Sequence, residues 1–318
     1  MRDEPYTTAS PQDLRVDKEA IRATIAEVRH QNVHSFLMLR SGQLIWEEYF
    51  RPGEADRPHA LFSVSKSFLS TAFGMAEAQG LLSLNDKLYD FFPEYAWTAD
   101  SDDKRQVTLA HMLMMGSGFE NNEAEILHAP PARQTLPERA LAQPIIHAPG
   151  TVFNYYTLGS YLLSAVFSKV YPRGVHHYLR HKLFAPMGFG CSEWESDEDG
   201  IPMGGFGLRL TAYDLTRLGQ LYLQGGQWQG QQLVPKQYVA QASSPQISNK
   251  DNGSVDWVAG YGYQFWMNSF GGFRADGMLG QYILMLPQYE TVVVMTSRLE
   301  DMQKPLTAVS SILLPGLN

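Results

Sequence analysis

The segments of this chain that read as strands lie near its two ends, and most of those that read as helices lie between them. Near the start, Val33 to Leu39 and Gln43 to Phe50 are apolar runs split by Arg40-Ser41-Gly42. Ser-Gly after an apolar run is a turn signal, so the pair predicts a β-hairpin. Near the end, Tyr261 to Met267, Gly280 to Leu286 and Thr291 to Ser297 alternate or run apolar, and Val292-Val293-Val294-Met295 is the most β-prone stretch. Helices are expected over Ser63 to Gly80, Leu109 to Met115, Gly159 to Val170, Val175 to Leu183, Ala212 to Leu223 and Lys236 to Ala242. Two more frame the strands: Asp17 to His30, with Ile21, Ile25 and Val28 at helical spacing, and Ala308 to Leu314. Pro130-Pro131 and Pro144 mark long loops. The pattern predicts an α/β domain built from both termini (1–61 and 205–318) with a mainly helical region (62–204) inserted between.

Composition narrows the partners. A net charge of −8 argues against nucleic acid, and no basic run suggests an anionic membrane. The single cysteine, Cys191, excludes an intrachain disulfide and a cysteine metal cluster. The opening Met1-Arg2-Asp3-Glu4-Pro5 is polar, with no apolar run of a signal peptide, which predicts a cytoplasmic protein if Met1 is the native start.

Chemistry is concentrated at Ser63-Val64-Ser65-Lys66, where a serine opens an apolar helix and a lysine follows one turn later on the same face. Serine needs a base or cation beside it to act as a nucleophile, and a buried lysine can take its proton. The helix N-terminus adds N–H groups that stabilise negative charge. Four letters are weak on their own, and about one Ser-x-x-Lys match is expected by chance. A second copy, Ser101-Asp102-Asp103-Lys104, lies in a polar run and reads as a solvated loop.

Two further segments join it. Pro149-Gly150 makes a turn before Phe153-Asn154-Tyr155-Tyr156-Thr157, and a tyrosine beside a Ser–Lys pair can carry a proton. Taken alone, Tyr155 reads as a packed aromatic. Ala275-Asp276-Gly277-Met278 places a glycine where backbone can approach closely and supply an oxyanion-hole N–H, although local sequence alone favours a strand-initiating turn.

With these segments in this order, the chain resembles the serine β-lactamase and penicillin-binding-protein superfamily. The likeness is to its class C-like branch, which includes family VIII carboxylesterases, D-aminopeptidases and 6-aminohexanoate-dimer hydrolases. Supporting stretches are Val107-Thr108-Leu109-Ala110-His111-Met112-Leu113, Pro149-Gly150-Thr151, Gly205-Phe206-Gly207-Leu208, Tyr261-Gly262-Tyr263-Gln264 and Gly280-Gln281-Tyr282. The resemblance implies a β-lactamase/transpeptidase-like fold, an antiparallel sheet flanked by helices. It implies that Ser63 is the acylated nucleophile, Lys66 its partner and Tyr155 the tyrosine of a Tyr-x-Asn element. The backbone N–H groups of Ser63 and Met278 become the oxyanion hole, and Thr157, Ala275, Asp276 and Gly277 contact substrate. Whether Lys66 or Tyr155 is the base stays open.

Two positions depart from that pattern. Thr157 replaces asparagine and lacks its amide fork. Ala275 replaces the lysine or histidine that holds a substrate carboxylate. The expected activity is therefore hydrolysis of a small ester or amide through an acyl-enzyme. β-Lactamase or D-peptidase activity is the alternative within the class, and a non-catalytic binding protein on the same fold is the alternative outside it. No metal or cofactor is expected. His177 and His181 are spaced i, i+4, but on a polar outer face with no carboxylate between them, and Glu195 to Asp199 reads as a solvated turn. Trp194, Trp257 and Trp266 are candidates for core or pocket.

Overall fold

In a computed structural model, residues 5–51, 53–128 and 134–317 are described. Pro130-Pro131 lies outside them. Six antiparallel strands form the main sheet, in the order Gln43–Tyr49, Val33–Arg40, Thr291–Ser297, Gln281–Leu286, Phe273–Gly277, Trp266–Met267. The hairpin forms where its turn residues direct it. Ser41 and Gly42 both take positive φ (48° and 76°), the twist that suits a two-residue hairpin turn.

Strand alternation divides the sheet into two faces. Phe36, Met38, Tyr282, Leu284, Val293 and Met295 pack with Ile21 and Ile25 of the Lys18–Arg29 helix and with Leu306, Val309 and Leu313 near the C-terminus. Leu37, Leu39, Ile283, Met285, Val292 and Val294 meet the Ala212–Leu223 helix and the long core of the helical region. Gly219 lets the Ala212–Leu223 helix lie directly on the sheet, since a Cβ there would stand 2.5 Å from Val292 Cγ1. Between sheet and helical region runs the Val64–Ala78 helix, buried at every position from Val64 to Ala76. A helix apolar all round belongs in a core, which is what its sequence requires.

Three expectations need correction. Of Tyr261 to Met267, only Trp266–Met267 is strand. The preceding residues form a tight turn, with Gln264 at φ 62° and the Gly262 N–H donating to the Phe265 carbonyl at 2.8 Å. The helical core captures this turn: Ser67 Oγ donates to the Gln264 carbonyl and Ser70 Oγ to that of Tyr263, both at 2.7 Å. Second, the segment Phe273–Gly277 is strand throughout, so the glycine of Ala275-Asp276-Gly277 ends a strand and does not start one. Third, Ser101-Asp102-Asp103-Lys104 is no solvated loop. Ser101 caps a short helix, Asp102–Gln106, by accepting from the Lys104 N–H. Lys104 is buried, with its ammonium on the Thr98 carbonyl (2.9 Å) and Asp100 (3.2 Å).

Candidate active site

The short strand His59–Ala60 pairs with Leu208–Leu210, and the Leu61 N–H continues the pairing to the Leu208 carbonyl at 2.9 Å. Phe62 then turns the chain sharply at φ 48°, a left-handed conformation that a bulky side chain adopts only under constraint. That turn delivers Ser63 to the N-terminus of the Val64–Ala78 helix. The Ser63 side chain does not cap its helix, which leaves the hydroxyl for another partner.

The partner is Lys66. Its Nζ lies 3.0 Å from Ser63 Oγ, donates to the Gly205 carbonyl at 2.8 Å and reaches Thr157 Oγ1 at 3.4 Å. Lys66 is 1% exposed. Burial pushes its ammonium down to about 7, against a smaller opposing pull from Glu123. A substantial neutral fraction at physiological pH follows, so Lys66 can accept a proton. Gly205 has to be glycine for this arrangement, because a Cβ would lie 2.7 Å from Thr157 Cγ2 and 3.3 Å from Lys66 Nζ.

Tyr155 closes the constellation. The Lys66 nitrogen sits 4.9 Å from the centre of its ring. Burial pushes the Tyr155 hydroxyl well above its ordinary value, and its hydrogen bond with Ser63 opposes the shift. The ring stacks on Trp266 (5.4 Å between centroids, 22° between planes) and meets Tyr261 edge-on. Asn121 holds the Tyr155 carbonyl at 2.7 Å, and Glu123 accepts from the Thr157 N–H at 2.5 Å. These two residues fix the Tyr155–Thr157 segment, and neither stands out in the sequence. Gln264, the last residue of the Tyr261-Gly262-Tyr263-Gln264 stretch, has a buried amide that donates to the Leu113 carbonyl (2.8 Å) and accepts from Ser160 (2.8 Å), tying three elements together behind the site.

The Phe273–Gly277 strand runs against the serine turn. A Cβ on Gly277 would stand 2.3 Å from the Leu61 carbonyl oxygen, so only glycine permits the approach. Met278 follows, 57% exposed. Among the described residues, the N–H groups of Ser63 and Met278 have no acceptor. Ala275 is fully buried in the core on the helical side, and Arg274 and Asp276 fall on the opposite face of the strand, as alternation requires. Arg274 is held through all three of its nitrogens. It donates to Asp276 (2.9 Å), Asn268 (3.0 Å) and the Met267 and Asp256 carbonyls (3.2 and 2.8 Å), with Trp257 stacked 4.9 Å from its guanidinium carbon. Burial raises the Asp276 carboxyl, and Arg274 pulls it back.

The other flagged residues are placed elsewhere. Trp194 packs in the core, its indole N–H on the Phe206 carbonyl. His111 is structural, forming a capping box with Thr108. Cys191 is exposed and unpaired. His177 and His181 touch at 3.0 Å on the surface. Among the described residues no helix is long and apolar enough to cross a membrane.

Comparison with known proteins identifies the family and the fold. The beta-lactamase family model matches residues 21–309. The chain is 26% identical to the 6-aminohexanoate-dimer hydrolase of Paenarthrobacter ureafaciens, over 94% of this chain and 81% of that one. Among solved structures, a putative 6-aminohexanoate-dimer hydrolase from Bacillus anthracis superposes with a TM-score of 0.81 at 18% identity, covering 99% of this chain and 88% of the other. A family VIII carboxylesterase gives a TM-score of 0.70 at 15% identity, covering 94% and 97%. The fold is thus β-lactamase/transpeptidase-like, and the match over nearly the whole length decides membership: the chain belongs to the beta-lactamase family and is a serine hydrolase.

Proposed function

We propose that this enzyme hydrolyses small, uncharged esters or amides through an acyl-enzyme on Ser63. The observation that carries the reading is the contact of 3.0 Å between Ser63 Oγ and a buried Lys66 whose ammonium is held near 7. Neutral Lys66 takes the Ser63 proton as Oγ attacks the substrate carbonyl carbon. The N–H groups of Ser63 and Met278 stabilise the oxyanion. Tyr155, held protonated by burial, gives its proton to the leaving oxygen or nitrogen as that bond breaks, and Lys66 reprotonates it. The opposite directions of the two shifts support this division of roles, lysine as base and tyrosine as acid. Water then attacks the acyl group by the reverse proton path. Phe153, Tyr155, Tyr261 and Trp266 form an apolar wall beside the serine, which suits an apolar acyl or leaving group.

Arg274 supports the choice of uncharged substrates. It is the cation nearest in sequence to the departure at Ala275, and each of its three nitrogens is engaged by protein acceptors on the far face of the strand. A substrate carboxylate therefore has no charge-assisted partner there. The test is a panel of p-nitrophenyl esters, p-nitroanilides and nitrocefin, run on wild type beside Ser63→Ala. Short esters should be cleaved far faster than nitrocefin. Nitrocefin turnover comparable with the best ester would overturn the substrate assignment.

The role of Lys66 predicts the pH profile. Only the neutral amine is a base, so kcat/KM should rise with pH through about 7 and fall below it. Glu123 stabilises the ammonium. Glu123→Gln removes that charge but keeps an acceptor for the Thr157 N–H, so the acid limb should move to lower pH. An unmoved or upward-shifted limb would reject Lys66 as the titrating base.

A further inference from the structure

Away from the serine, three side chains from three elements converge: His34 on the Val33–Arg40 strand, Glu54 at the start of the Glu54–Asp56 turn, and His59 on the His59–Ala60 strand. Their nearest ligand-type atoms all lie within 4.8 Å of one another. Glu54 Oε1 is 2.5 Å from His59 Nε2 and 3.6 Å from His34 Nδ1. The Glu54 side chain is 1% exposed, that of His59 9% and that of His34 12%.

As a purely protein arrangement, this is poorly satisfied. Glu54 Oε1 and both ring nitrogens of His34 are buried without a hydrogen bond, and the short His59 contact lacks hydrogen-bond geometry. A buried polar atom left without a partner loses its hydration and gains nothing in exchange. His59 Nε2 has one further polar neighbour, the Thr296 hydroxyl at 3.4 Å, and that hydroxyl already pairs with Ser35 Oγ at 2.5 Å. Two imidazoles and a carboxylate, converging and under-bonded, are a donor set that a metal ion takes.

We propose that His34, Glu54 and His59 bind one zinc-class divalent ion. Two imidazole nitrogens and one carboxylate form a three-protein-ligand set that Zn²⁺ accepts, with solvent completing the tetrahedron. Bonds of 2.0–2.2 Å place tetrahedral ligand atoms roughly 3.4 Å apart. The His34–Glu54 edge already has that length within a few tenths of an ångström, and the His59–Glu54 edge would open by somewhat under an ångström. Arg51, Arg57 and Arg209 lie near enough to the histidines to add positive potential. That potential opposes any dication, so the choice of ion rests on the donors: two imidazoles favour zinc-class ions over Ca²⁺ and Mg²⁺, which depend on several anionic oxygens. The ion does not touch the serine. It ties the hairpin to the short strand that runs, through Leu61 and Phe62, into Ser63, so its effect is on the stability of that segment.

The test uses chelator-stripped protein in a His181→Ala background, which removes the exposed His177/His181 pair as a competing site. Co²⁺ titration should give visible d–d absorption saturating at one equivalent, Zn²⁺ should displace it, and Zn²⁺ should raise Tm. His34→Ala should abolish absorption and Tm shift while circular dichroism and ester hydrolysis persist. Glu54→Gln should weaken binding by more than the roughly 10–100-fold that an outer-shell partner costs. No saturable Co²⁺ signal in the background protein overturns the proposal. So does an unchanged signal in a folded His34→Ala protein.

Discussion

Ser63→Ala is expected to reduce ester hydrolysis to background, a loss on the order of 10⁶-fold in kcat where the nucleophile is removed from a cooperating set. The protein should fold normally. The Ser63 hydroxyl does not cap its helix, and its bond is to a lysine that keeps the Gly205 carbonyl. The other Ser-x-x-Lys copy behaves in the opposite way. Ser101 caps its helix, so Ser101→Ala should leave kcat unchanged and lower stability by about 1 kcal/mol. Steady-state kinetics beside urea denaturation separates the two. Activity surviving in Ser63→Ala would mean another nucleophile.

Tyr155→Phe carries the second large effect. It removes one oxygen and leaves the stack on Trp266 in place. If Tyr155 carries the proton to the leaving group, kcat should fall by roughly 10²–10⁴-fold, the usual worth of general acid–base catalysis. The loss should be greatest for poor leaving groups and smallest for p-nitrophenolate, which departs without protonation. Tyr156→Phe is the matched control. The Tyr156 hydroxyl is buried without a partner, so its removal should leave kcat intact and keep or raise Tm. Equal rates for Tyr155→Phe and wild type on an anilide would remove Tyr155 from the mechanism.

The parts of this site that sequence could reveal are those held by local geometry. Ser63 and Lys66 face each other because helical periodicity brings residues three apart together, whatever the rest of the chain does. Ser41-Gly42 specifies its turn by backbone conformation alone. Asp17 caps the Lys18–Arg29 helix by accepting from the Glu19 N–H, and that helix ends within a residue of expectation. What could not be read are contacts between distant segments. Glu123 acts on Lys66 and Thr157 through space, with no local pattern to mark it. His34, Glu54 and His59 meet only once the hairpin and the serine strand are in place. Tyr261 to Met267 has the composition of a strand, yet the hydroxyls of Ser67 and Ser70 offer its carbonyls a different set of bonds. Tertiary context outweighs β-propensity there.

The strand order has a consequence for how the molecule is made. Thr291–Ser297 lies between Val33–Arg40 and Gln281–Leu286, so the inner edge of the Val33–Tyr49 hairpin has no partner until the chain has been made through Ser297. Until then, Phe36, Leu37, Met38 and Leu39 belong to a two-stranded ribbon, which is marginal in water by itself. Loop closure over such a separation is slow, and an unpaired apolar edge is prone to aggregate. A nascent chain stalled before Thr291 therefore lacks the one strand that covers this edge in the folded sheet.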